Sequence, residues 1–287
     1  MDTIIEKVDP EHIDTDVMEQ AGKLIAEGEL VAFPTETVYG LGGDALDPDA
    51  SRKIYAAKGR PSDNPLIVHI ADFDDMKRVA REVPEQAKKL ADAFWPGPLT
   101  MIVWKSDAVP EATTGGMQTV AVRMPNHPVA LELIRRSGCL IAAPSANTSG
   151  RPSPTEAQHV AEDLSGKIAM ILDGGPVGIG IESTIIDLTE EKPMILRPGY
   201  ITPEMLSEVL QEEVVIDPGI IAADDTRKPK APGMKYKHYA PKAEISIVRG
   251  NLTEFVSFVL ASDADAVLCF EGEEHYFSDK ITVTFGR

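Results

Sequence analysis

The chain has 287 residues, 43% of them apolar and 26% charged, enough to bury a sizeable core in one large domain with a smaller companion. Its formal net charge of −18 argues against a broad nucleic-acid footprint, which needs clustered Lys and Arg. No run approaches the ~18 apolar residues of a membrane helix, the opening MDTIIEKVDPEH lacks leader character, and Cys139 and Cys269 stand in separate apolar runs without zinc-type spacing; a soluble cytoplasmic protein without disulfides is expected.

Ile4 to Val8 reads as a strand and Asp16 to Glu27 as an amphipathic helix stopped by Gly28. The apolar run Leu30 to Phe33 ends at Pro34, so Thr35, Glu36 and Thr37 emerge at a strand end, where α/β sheets place ligand-binding groups. Gly40, Gly42 and Gly43 let the backbone turn sharply or approach a ligand. Asp47-Pro48 opens a helix to about Ala57, whose end presents Lys58-Gly59-Arg60. Two cations there fit a helix C-terminus with Gly59 as the terminating residue, and they fit an anion site equally well. Asn64-Pro65 leads into the strand Leu66 to Ile70, with His69 on the face opposite Val68 and Ile70.

Asp72 to about Trp95 carries helical periodicity broken at Pro84, and Leu99 to Trp104 is a strand. Thr119 to Met124 alternates, which puts Thr119, Ala121 and Arg123 on one face; an arginine there needs an anionic partner, from the protein or from a ligand carboxylate. After the helix Pro128 to Ser137, the strand Cys139 to Ala143 ends in Pro144-Ser145-Ala146-Asn147. Ser153-Pro154-Thr155-Glu156 has the form of a capping box opening a helix to about Leu164, a structural role for Ser153 that competes with ligand contact. Strands follow at Ile168 to Leu172, Ser183 to Leu188 and Met194 to Leu196, the last leading to Arg197, and Thr202-Pro203 caps a helix to about Leu210.

This alternation predicts an α/β fold, a twisted, mixed open sheet with flanking helices, over residues 1–210. Periodicity lapses over residues 211–241, a linker whose end is rich in aromatic and cationic groups. There Tyr236, His238 and Tyr239 are expected to form a lid over the ligand cleft. Residues 242–287 read as a small α/β domain, with strands at Glu244 to Val248, Ala266 to Phe270 and Ile281 to Phe285 and a helix at Leu252 to Leu260; the missing closing helix makes this domain look partial. No Walker-type loop, GxGxxG or His-Glu-x-x-His is present.

Three polar strand ends thus offer Thr35 and Thr37, Ser145 and Asn147, and Ser183 and Arg197, so two anionic groups could be held at once. PTETVYGLG, KGRP with the downstream NPLIVHI, PGPLT, VAVRMP, APSAN with SGRPSPT, GIESTIID and ILRPG resemble the YrdC-type threonylcarbamoyl-adenylate synthases over about Ile13 to Leu210. APGMKYKHYAP and the trailing α/β unit resemble the longer, two-domain form. The resemblance implies an enzyme that joins L-threonine, bicarbonate or CO2 and ATP, with Mg²⁺, into threonylcarbamoyl-AMP and pyrophosphate. A downstream transferase would then carry the threonylcarbamoyl group to a tRNA adenosine. It further implies that Lys58 and Arg60 neutralise phosphate charge and are catalytic, while Arg60, Asn64, Thr119, Ser145, Asn147, Ser153, Arg197 and Tyr239 hold ATP. Thr37, His69, Arg123, the Ala143 backbone and Ser183 would hold threonine. Two alternatives stand beside this reading. One is a double-stranded RNA or tRNA binder, disfavoured by the acidic charge. The other is a carbamoyl-adenylate-forming maturation factor, disfavoured by the shortage of cysteines.

Overall fold

The alternation of strands and helices is realised in a computed structural model that describes residues 2–221 and 243–286. The chain divides into two units, Met1–Ala240 and Pro241–Arg287, each taken by itself below.

The strands of the first unit are β1 (Ile4–Lys7), β2 (Val31–Phe33), β3 (Gly40–Asp44), β4 (Ile67–His69), β5 (Leu99–Trp104) and β6 (Thr119–Arg123), then β7 (Ile141–Ala142), β8 (Met170–Asp173), β9 (Thr184–Asp187), β10 (Met194–Arg197) and β11 (Val215–Ile216). They form one sheet in the order β1-β8-β2-β3-β7-β4-β6-β5-β9-β10-β11. Parallel pairs such as β1 with β8 and β4 with β6 alternate with antiparallel ones such as β2 with β3 and β5 with β6, so the sheet is mixed. The alternation along β2 divides the core: Ala32 faces one side with Leu41, Ile54 and Leu90, whereas Val31 and Phe33 face the other with Met18, Ile25 and Leu133. Each such side chain, taken out of water, stabilises the fold by about 1.5–3 kcal/mol.

Helix ends follow the local chemistry of the sequence. Asp14 accepts from the backbone of Asp16 at 2.9 Å to start Thr15–Ala26, and Asp47 caps Pro48–Lys58, which Gly59 ends with φ +62°. Thr202 caps Pro203–Leu210 through Met205 N at 3.3 Å.

Three expectations change. The glycine segment after Tyr39 is a central strand, because only hydrogen fits there: a Cβ on Gly42 would lie 2.7 Å from Ile141 Cγ2 and 2.8 Å from the Phe33 ring. The helix expected from Ser153 begins later, as Ala157–Leu164, and the Ser153 hydroxyl goes elsewhere. Beyond Leu210, β11 pairs in parallel with β10 and extends the sheet through Ile216.

In the second unit, Asn251 and Glu254 complete a reciprocal capping box on the helix Leu252–Ala261. That helix covers two parallel strands, β12 (Ala266–Cys269) and β13 (Ile281–Thr284), through Val259, Val267, Cys269 and Phe277. The expected strand Glu244 to Val248 is absent, since those residues pair with no neighbouring strand among the described residues.

Candidate active site

The end of β2, the start of β3, the end of β6 and the segment entering β9 surround a cleft. Of the residues anticipated from the sequence, Thr37, Arg60, His69 and Arg123 line it, as do Ala143, Ser145, Ser183 and Arg197. The segment from Pro34 builds one wall. Thr35 Oγ1 donates to Val38 O at 2.7 Å and accepts from the Thr37 and Val38 amides at 3.2 Å each, which fixes a tight turn. Ile179 N and Gly180 N then donate to Glu36 O and Thr37 O at 2.9 and 3.0 Å, holding the later loop against that turn. This brings Glu182 and Ser183 to the cleft.

Part of the cleft wall is organised around Arg123, which is 4% exposed. Its guanidinium donates to Glu36 Oε1 at 2.6 Å and to Thr37 Oγ1 at 3.0 Å, while Glu36 Oε2 accepts from Asn126 N at 3.0 Å. The anionic partner demanded by a buried arginine is therefore supplied by Glu36. His69 lies beside Arg123 in the parallel β4–β6 register and donates Nδ1–H to Ile67 O at 3.1 Å. Burial, reinforced by the positive charge of Arg123, pushes its pKa down to about 3, so the ring is neutral. Ser183 is fully buried; its hydroxyl lies 2.7 Å from Thr100 Oγ1 and accepts from Arg197 at 3.1 Å.

Two further arginines line the cleft. Arg60 is oriented by the carbonyls of Asn64 at 3.1 Å and Pro65 at 3.0 Å. Arg197 is held by Ser183 O at 3.0 Å, and burial lowers its pKa to about 10 against the opposing pull of Glu182. Glu182 itself lines the cleft and accepts from Ser153 Oγ at 2.5 Å.

Several anticipated residues stand outside the lining. Lys58 is 1% exposed, and its ammonium donates to the carbonyls of Ser145 and Asn147, which ties the helix end to the β7 strand end. Desolvation moves its pKa well below the usual lysine range. Asn147 accepts from Ser145 Oγ at 2.5 Å and donates to the carbonyls of Thr148 and Arg151. Lys58 and Asn147 therefore brace Ser145 from behind. Asn64 is buried with Oδ1 lacking a hydrogen-bond partner among the described residues, a polar atom that a ligand could satisfy. Thr119 begins β6, four residues and so about 13 Å from Arg123 at strand rise. Tyr236, His238 and Tyr239 lie outside the described residues. Glu36 was placed at a ligand-facing strand end but given no role, and Glu182 was missed; its one sequence signal was its place beside Ser183.

The chain matches the Sua5/YciO/YrdC family, described as "Telomere recombination", over residues 23–199, and "Threonylcarbamoyl-AMP synthase, C-terminal domain" over residues 201–283. It is 58% identical to the threonylcarbamoyl-AMP synthase of Pyrococcus abyssi over 231 residues, covering 80% of this chain and 67% of that protein. It is 56% identical to the threonylcarbamoyl-AMP synthase of Bacillus subtilis over 233 residues, covering 81% of this chain and 66% of that protein. It thus spans about two thirds of the length of these relatives. The crystal structure of P. abyssi Sua5 complexed with L-threonine superposes with a TM-score of 0.90 at 49% identity, covering 99% of this chain and 84% of that one. With the sequence and the fold in agreement, this chain belongs to the Sua5/YciO/YrdC family.

Proposed function

We propose that this protein synthesises L-threonylcarbamoyladenylate from L-threonine, bicarbonate or CO2 and ATP, with release of pyrophosphate. The observation that carries this reading is that a single cleft is lined by three arginines, Arg60, Arg123 and Arg197, together with the polar Thr37, His69, Ser145 and Ser183, enough cationic charge to meet both a carboxylate and a polyphosphate. An amino acid and a nucleotide can meet there. The threonine complex of the P. abyssi relative supports the first ligand.

In the first step the threonine ammonium gives a proton to solvent, and the free amine attacks the carbon of CO2, forms the C–N bond and gives up a second proton to solvent, which leaves a carbamate anion. In the second, a carbamate oxygen attacks the α-phosphorus of ATP, and the bond to the β-phosphate breaks with pyrophosphate leaving. No side chain need form a covalent bond, so the protein contributes position and charge. Arg60 and Arg197, pre-oriented by backbone carbonyls, face the phosphates, and Ser145 is held rigid by Lys58 and Asn147. Neutral His69, Thr37 and Ser183 are the polar groups for the threonine backbone and hydroxyl.

Mg²⁺ would enter with ATP and neutralise part of the polyphosphate charge. Among the described residues no cluster of three or more His, Cys, Asp or Glu could cage a metal. The carboxylate of Glu182 at the cleft suits an ion carried mainly by phosphate oxygens. We place the reaction in the cytoplasm, with the product passed to a transferase acting on tRNA; no helix among the described residues is long and apolar enough to cross a membrane. The test is pyrophosphate release with threonine, bicarbonate and ATP each omitted in turn. Full activity requires all three, and equal turnover without threonine overturns the reading.

A further inference from the structure

Glu182 is a carboxylate set into an anion-binding cleft. Arg60 and Arg197 line the same cleft, and the charge of Arg123 is already met by Glu36 from behind. A carboxylate at that point repels the nucleotide those arginines attract. It is also not consumed by the fold: Ser153 donates to Oε1 at 2.5 Å, while Oε2 has no hydrogen-bond partner among the described residues. The loop is held on both sides of Glu182 by backbone hydrogen bonds, from Gly180 N to Thr37 O and from Thr184 N to Pro98 O, each 3.0 Å.

A carboxylate lining a cleft for phosphates, with one oxygen left over by the fold, suits Mg²⁺, since this ion takes one or two protein carboxylates and completes its shell with phosphate oxygens and water. We infer that Glu182 anchors the metal of the metal–nucleotide complex, with Ser153 orienting the carboxylate, so that the cleft selects ATP carrying its cation over bare ATP. The inference rests on the nucleotide reading above and adds to it a protein ligand for the metal. Glu182 also supports the positive charge on Arg197 and Lys58, a second role that removal of its charge would weaken.

The two roles separate by thermodynamic linkage: a metal ligand couples metal and nucleotide binding, whereas an orienting group does not. The experiment is calorimetric titration of ATP into the full chain without threonine or bicarbonate, once with Mg²⁺ and once with EDTA. The wild-type protein should bind ATP more tightly with Mg²⁺, and Glu182→Gln should shrink that preference about tenfold, within the usual range of coupling between sites. Bare ATP should be held at least as well by this variant as by wild type. Ser153→Ala, which keeps the carboxylate, should retain most of the preference. A Glu182→Gln protein with the wild-type preference overturns the proposal, as does a wild-type protein that binds ATP equally with and without Mg²⁺; in both cases nucleotide binding stands. A wild-type protein that binds ATP under neither condition removes the nucleotide reading itself and the metal anchor with it.

Discussion

Arg123 and Glu36 form a buried ion pair of 2.6 Å in which the guanidinium, 5% exposed at its side chain, is oriented by the protein before any ligand arrives. The carboxylate is tied in turn to the Asn126 amide at 3.0 Å. A buried pair of this kind adds little net stability, but breaking it strands a charge. Glu36→Ala should lower stability by about 3–5 kcal/mol and loosen threonine binding. Chemical denaturation with a double-mutant cycle against Arg123→Met measures the coupling, and additive effects would show that the pair does no orienting.

Arg123→Ala should weaken threonine binding far more than ATP binding, and Arg60→Ala the reverse, since Arg123 is fixed by Thr37 and Glu36 whereas Arg60 is fixed by the carbonyls of Asn64 and Pro65. Separate titrations with each ligand decide it. A swap of the two effects would mean the two arginines have been assigned backwards.

Lys58→Met should cost stability and activity together. The ammonium now serves the Ser145 and Asn147 carbonyls, and each acceptor left unsatisfied costs about 1–3 kcal/mol. Loss of pyrophosphate release with an unchanged unfolding midpoint would instead show that Lys58 acts directly on substrate.

His69 gives the folded protein an acid sensitivity. Its pKa is pushed down to about 3, whereas in the unfolded chain it titrates near ~6.5. The unfolded state thus binds a proton that the folded state refuses. The contribution is fully present above about pH 6.5 and is lost as pH falls toward about 3. His69→Gln should flatten the stability curve across that window, and an unaltered slope would mean that other groups set it.

Gly42→Ala should destabilise the sheet by about 1–3 kcal/mol through overpacking, because the added methyl meets Ile141 and Phe33 at 2.7 and 2.8 Å. Thermal unfolding of this single variant is sufficient.

Much of this was legible where one residue type has one local job. Asp47 before Pro48, Gly59 at φ +62° and Thr202 before Pro203 mark helix ends by chemistry that tertiary contacts leave alone. The strand Gly40–Asp44 was illegible because glycines carry no alternation; its pairing is dictated by Phe33 and Ile141, far away in sequence. Ser153 misled for the opposite reason: its neighbours spell a capping box, yet Glu182 takes the hydroxyl. Residue types at strand ends announced the cleft, but the carboxylates behind and within it, Glu36 and Glu182, depend on which loops meet. That information lies in the topology and not in any local window.

The placement of β1 also governs how the protein can be born. This first strand pairs in parallel with β8, at Met170–Asp173, so it leaves the ribosome long before its partner exists. Its hydrogen-bonding edge must wait, solvated, while most of the first unit is synthesised. Glu6 and Lys7, following Ile4 and Ile5 on a strand of four residues, are the kind of charged interruption that keeps a waiting edge from pairing with the wrong neighbour. Newly made chains should therefore acquire their outermost strand late, with the cleft assembled only when residues around Arg197 have emerged to close it.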